Sequence, residues 1–202
     1  GGGAMTLTQA LVLQAHGTAR AQAVVAGISI SVVSVNASVA VAKLTARQAA
    51  AIQGSGAYDL GSLHVSSKHN MAGAADHDYD ALARIISGNG AAVGIGISTA
   101  IALADASGIA RVGAGILRVR GNLTVESIGR SNAGALIDNL SLAVASVAVL
   151  VGRAYAYGAF EAYLEITNAA MQLEGTASIT VEYSAWANAD VNPALGGVSI
   201  GV

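Results

Sequence analysis

The chain of 202 residues has no cysteine, a single proline (Pro193), one tryptophan, one phenylalanine and only 11% charged residues. Each scarcity excludes something. Without cysteine there is no disulfide, no thiolate nucleophile and no thiolate zinc site, and the redox compartment is left open. Ten Lys and Arg stand against twelve Asp and Glu, a net charge of −2 with no basic run. That balance gives nucleic acid or an anionic membrane surface nothing to bind. The few rings cannot form the two aromatic girdles of a transmembrane barrel. Two uncharged stretches, 21–42 and 85–104, alternate Ile and Val with Ser, Ala, Gly and Asn. Such alternation suits strands rather than membrane helices, so no membrane span is expected. The opening "GGGAM" has neither a charged n-region nor an apolar h-region, so no signal peptide is expected there.

What the chain does contain is repetition. "ILRVRG" (Ile116 to Gly121) returns as "AMQLEG" (Ala170 to Gly175), and "SLHVSS" (Ser62 to Ser67) precedes it; Leu63, Leu117 and Met171 follow one another at steps of 54. "GGGAM" occupies the same phase as the later "NAAM". Self-similarity at a long fixed period marks a stacked architecture in which each unit buries its apolar face against its neighbours. Four copies result, at approximately 5–62, 63–116, 117–170 and 171–202, in a single repetitive domain. The step from Met5 to Leu63 is 58, which predicts about four extra residues in the first copy. Copies two and three align without gaps from Leu63 to Val112, setting Val93, Ile95 and Ile97 against Val147, Val149 and Val151.

Within each copy the period is two, the signature of strands. Hydrophobic residues make up 53% of the chain and are largely Ala and Val, with 25 Gly, so the interior is expected to be thin. Leu140, Leu142 and Val144 share one parity and Val147, Val149 and Val151 the other. That flip predicts a bend that keeps the apolar side inward. Gly88, Gly90, Gly121, Gly152 and Gly175 suit corners or close sheet contacts. "AADHDYD" (Ala74 to Asp80) and "ANADVNPA" (Ala187 to Ala194) read as polar excursions.

Charge placement favours one wide rung per repeat over three short ones. At a separation of 54 the sequence sets Asp76 with Arg130, Arg84 with Asp138, Arg111 with Glu165 and Arg120 with Glu174, and no like-signed pair occurs at that step. Stacked neighbours lie about 5 Å apart, where opposite charges attract. Three strand spacings would put them about 14 Å apart and largely screened. The expected fold class is therefore all-β, a β-solenoid of about four wide rungs with a repeat near 54 residues, about 18 Å tall. Its outer rungs would expose unpaired backbone, so the chain should stack end to end or continue a longer solenoid.

Chemical motifs are few. Asp76, Asp78 and Asp80 alternate around His77, as in the opening of a calcium loop, but the loop glycine and distal glutamate are missing. A solvated turn is the plainer reading, and calcium is the one cofactor the sequence leaves open. His16, His64, His69 and His77 lack metal-ligand spacing. Arg118 matches His64 in the next copy, which reads as a solvent-facing ladder position. No nucleophile elbow, Walker loop or dinucleotide fingerprint is present, and the acids are mostly matched with arginines rather than clustered as in a glycosidase. No enzyme is expected. Tyr155, Tyr157 and Tyr163 share parity with Arg153, Glu161 and Glu165, which predicts an exposed aromatic binding face for a glycan, a surface or a neighbouring filament. Ile101, Leu103 and Ile109 take the matching places in copy two. Asn36, Asn122 and Asn139 open N-x-S/T triplets, the acceptor pattern for glycosylation.

The "V-A-V" and "G-I-G-I-S" runs alternating with "I-L-R-V-R-G-N-L-T-V-E-S" resemble the repeats of large bacterial filamentous surface adhesins, the leukotoxin- and haemagglutinin-like proteins. The resemblance covers nearly the whole chain. It implies a β-solenoid, a secreted or cell-surface location, and a role in adhesion or matrix building. The expected function is that of a structural subunit or segment of an extracellular bacterial fibre, self-assembling by end-to-end β-rung stacking. The alternative is an adhesin-type module that contacts a glycan or cell surface through the tyrosine face. The partner is in either case another copy, a longer solenoid or a surface glycan, with no nucleic acid.

Overall fold

The computed structural model describes residues 3–71 and 79–201, and only the backbone of 167–169 and 195–201. The protein is all-β with a parallel sheet, and no helix occurs among the described residues. Six strands follow in chain order: β1 (Ala4–Gly17), β2 (Ala21–Ile52), β3 (Ala57–His69), β4 (Ala81–Val119), β5 (Leu123–Leu173) and β6 (Ala177–Gly201). β1 pairs β3, β2 pairs β4, β3 pairs the end of β4 and the start of β5, β4 pairs β5, and β5 pairs β6. One ladder crosses the whole sheet as Ala4, Ala57, Ile116 and Ala170.

The long strands do not run straight. Ala81, Ala83 and Ile85 at the start of β4 pack in one cluster with Ala100, Ala102 and Ala104 further along it. The strand therefore reverses between these segments and faces itself. β5 does the same, with Ala133, Ala135 and Ile137 in the cluster that Ala154 and Ala156 cover. Alternation puts every second residue inward, and methyl side chains let the two layers approach closely. Away from the alanine core the layers hold larger residues: Leu60, Leu63, Val65, Val112, Leu117, Leu123 and Val125 form a second buried cluster. Between the clusters, serine hydroxyls donate across the core, Ser127 to the Gly108 carbonyl (2.9 Å) and Ser131 to the Ala104 carbonyl (3.0 Å).

Here a size code links the layers. Gly17, His69, Gly129 and Tyr183 are successive register partners, so glycine alternates with a ring along the row. Gln48, Gly108 and Phe160 form another row. The Gln48 side chain lies where a Cβ on Gly17 would point, and the Phe160 ring where a Cβ on Gly129 would point.

The register is not a uniform 54. β1 meets β3 at a step of 52 over Gly17 and His69, but Ala21 of β2 meets Ala81 of β4 at 60. β3 meets β5 at 60 and β4 meets β5 at 52 from Ala81 to Ala114. Both changes have one cause, a segment between His69 and Ala81 about eight residues longer than its counterparts. The extra residues therefore belong to the second pass and not the first: Met5 lies beside Tyr58 and Leu63 beside Leu11. Ile95 and Ile97 accordingly face Val147 and Val149 rather than Val149 and Val151.

A second correction concerns the bend after Asp138. Leu140, Leu142 and Val144 point outward, while Asn139, Ser141 and Ser146 are buried. The same inversion holds in the two preceding passes, where Ser34, Ser38, Ser87 and Asn89 are inside. At a tight reversal the enclosed space is too narrow for branched aliphatic side chains. Ser and Asn fit it, and two pairs bond, Ser34 to Asn89 at 3.2 Å and Ser87 to Asn139 at 3.0 Å, while the Ser141 and Ser146 hydroxyls have no partner.

Candidate functional site

Ion pairs line the outer faces between neighbouring strands. The Arg84 guanidinium donates to the Asp138 carboxylate at 2.9 Å and that of Arg111 to Glu165 at 3.1 Å. Neither pair is directly opposed, because Arg84 faces Leu136 and Arg111 faces Tyr163 across the ladder. Arg120 reaches Asp59 (2.8 Å) rather than Glu174, which Arg118 holds at 3.3 Å. The uniform step of 54 cannot show this, since Asp59 lies 61 residues before Arg120 and Glu174 56 after Arg118. Arg130 meets Asp80 at 3.4 Å. Its expected partner Asp76 lies outside the described residues, as do Asp78 and His77.

Asp80, the described member of the acidic triplet, is buried and fully engaged. It accepts from the Asn70 amide at 2.8 Å, the Asn132 backbone at 2.7 Å and Arg130. Asn70 holds this corner with a left-handed φ of 51°, a conformation asparagine tolerates. Among the described residues no three His, Asp or Glu side chains lie close enough to hold a metal ion.

One cluster escaped sequence reasoning. Glu126 on β5 accepts from Lys68 at 2.7 Å and from His64 at 3.0 Å, both on β3. Burial alone would raise its pKa, but hydrogen bonds from Lys68, His64 and Ser66 and the charge of Lys68 prevail and hold it at about 2. His64 faces Thr124, not Arg118, because the local step is 60. The nearby His16 ring lies 3.2 Å from the Ser66 hydroxyl, yet Ser66 is fully buried and presents no nucleophile to a substrate. His69, one row further in, is fully buried, with no hydrogen-bond partner at either ring nitrogen. Burial lowers its pKa, opposed by Asp80 and reinforced by Arg130.

The tyrosine face has a defined geometry. Tyr155 and Tyr157 stack with ring centroids 6.3 Å apart at 11°, exposed at 38% and 53%. Tyr163 carries the Arg111 guanidinium over its ring at 5.5 Å, a cation–π contact. The step of 52 places Leu103 beside Tyr155 and Asp105 beside Tyr157, so a carboxylate borders the exposed rings. Such a face can stack an apolar or sugar ring and accept a hydroxyl. Compared with protein-family models, with curated proteins and with solved structures, the chain matches none.

Proposed function

We propose that the chain is a β-solenoid of about four wide rungs, serving as a structural subunit or segment of an extracellular bacterial fibre at the cell surface. One observation carries this reading: parallel ladders run through the molecule with open strand edges at both ends. Among the described residues, β1 and β2 each pair on one side only, with β3 and β4, and β6 pairs only with β5. Open parallel edges of this length are templates for further strands. Stacking the β6 side of one copy on the β1–β2 side of the next would extend the same ladders, as would further turns of a longer solenoid. The ion pairs between strands fit a scaffold better than a catalyst, since they are consumed in register. Electron microscopy and fibre diffraction of the concentrated protein test the reading. Fibres with a repeat of about 4.8 Å along the axis are expected, and dispersed monomers at high concentration would overturn it.

The stacked, exposed Tyr155 and Tyr157 favour a second reading, an adhesin-type module that binds a glycan or cell surface. Replacing Tyr155, Tyr157 and Tyr163 by serine should abolish glycan or cell binding and leave assembly intact. Unchanged binding would remove this reading.

A further inference from the structure

The reversal at one end of the fold is inside out. Ile28, Ile30 and Val32 in the first pass are exposed at 81%, 83% and 78%; Ile95 in the second and Val144 in the third are exposed at 40% and 74%. Beneath them the buried positions are Ser, Asn, Ala and Gly. Burying a hydroxyl while exposing an isoleucine on the next residue is unfavourable for an isolated molecule. Exposed aliphatic side chains recur here in all three passes, and a contiguous exposed apolar patch marks an interaction site.

We infer that this aliphatic tip is a lateral interface between two copies of the chain, distinct from the strand edges through which the proposed fibre would grow. Three features point to a second copy. First, the face is aliphatic in all three passes, as the buried centre of an interface between copies is. Second, it has the anatomy of one. No charge occurs in 21–42, 85–104 or 139–152, whereas the bordering positions carry charges of both signs: Arg84 and Asp138 on one flank, Lys43, Asp105 and Arg153 on the other. An apolar centre with a mixed-charge rim seals two faces without net repulsion. Third, exposed Val35, Ile95 and Val147 are successive register partners, a row of aliphatic side chains repeated at the strand spacing of about 4.8 Å. Rows of that pitch interdigitate best with rows of equal pitch, as in dry sheet-to-sheet packing. A second copy turned about a two-fold axis supplies them.

A lipid bilayer is the rival occupant, and the backbone argues against it. Through Ile28 to Ser34, β2 is bonded to β4 on one side only, so its other edge would carry unpaired N–H and C=O groups into hydrocarbon. Each would cost several kcal/mol there, whereas in a protein pair the edge stays open to water.

The chain has no cysteine, so single-cysteine variants report contacts cleanly. Ile30→Cys and Ile95→Cys should form disulfide-linked dimers on oxidation, and Arg47→Cys, exposed and well away from the tip, should not. The triple variant Ile30→Lys, Ile95→Lys, Val144→Lys should keep its β circular-dichroism spectrum and sediment as half the assembly. If fibres form, it should halve their width and leave their length unchanged. That result separates the tip from end-to-end stacking, whose failure would shorten fibres without removing the cross-links. Cross-linking no better at the tip than at Arg47 would overturn the inference. So would flotation of the unaltered protein with phosphatidylcholine vesicles that is lost in the lysine variant.

Discussion

Arg84 and Asp138 are bonded at 2.9 Å although they are not opposite one another: Arg84 faces Leu136, and its guanidinium reaches two residues further along β5. A long flexible side chain can span that diagonal where a short one cannot. Both partners are more than a third exposed, so the pair should add little stability. A double-mutant cycle with Arg84→Ala and Asp138→Ala should return a coupling of about 0.2–1 kcal/mol, falling towards zero in molar salt. A coupling that salt does not weaken would contradict a screened surface pair.

The Glu126 cluster should matter more, because its carboxylate is only 16% exposed and is bonded by both Lys68 and His64. With the folded pKa lowered from 4.5 to about 2, its contribution is present above pH 4.5 and is lost as the pH falls from 4.5 towards 2. Glu126→Gln should cost roughly 1–2 kcal/mol at pH 7 after allowance for partial exposure. The variant should also lose much of the acid limb of the stability curve between pH 4.5 and 2, measured by urea denaturation.

How far these features could be read from the sequence depends on what each one requires. Strand content was legible because Ala, Val and Ser alternate for tens of residues, and no tertiary contact overrides that period. Alternation defines two faces but not which of them is inside. Hydrophobicity decides that question correctly for Ile85 and Ile137, and wrongly for Leu142 and Val144, where a narrow reversal excludes branched side chains. Arg84 and Arg111 lie 54 residues from their partners because the reach along the ladder adds two residues to a step of 52. His64 and Glu126 are 62 apart. That contact became visible only once the longer segment between His69 and Ala81 had shifted the local register, and no feature of the sequence marks the size of that shift.

His69 should make the protein acid-sensitive in a higher window than Glu126. Its ring is fully buried and lacks hydrogen-bond partners, and burial lowers its pKa from 6.5 against the pull of Asp80 and with the help of Arg130. The unfolded chain therefore takes up a proton first, so stability is intact above pH 6.5 and declines as the pH falls below it. His69→Leu should flatten the dependence of the urea midpoint on pH between 7 and 5.5. At neutral pH it should be near neutral or stabilising, since it removes two unsatisfied polar atoms. A parallel decline in both proteins would show that His69 is not the group responsible.

The row of Gly17, His69, Gly129 and Tyr183 makes a claim about register that mutation can test. A Cβ on Gly129 would collide with the Phe160 ring from the other row, so Gly129→Ala should destabilise by about 1–3 kcal/mol through overpacking. Phe160→Leu alone should also destabilise, by removing ring contacts with Tyr183 at 5.2 Å. Together the two changes should cost less than their sum, because the smaller side chain vacates the space the methyl needs. Additive costs in a thermal or chemical denaturation cycle would mean that Phe160 does not lie over Gly129. The size code would then play no part in aligning one pass of the chain on the next.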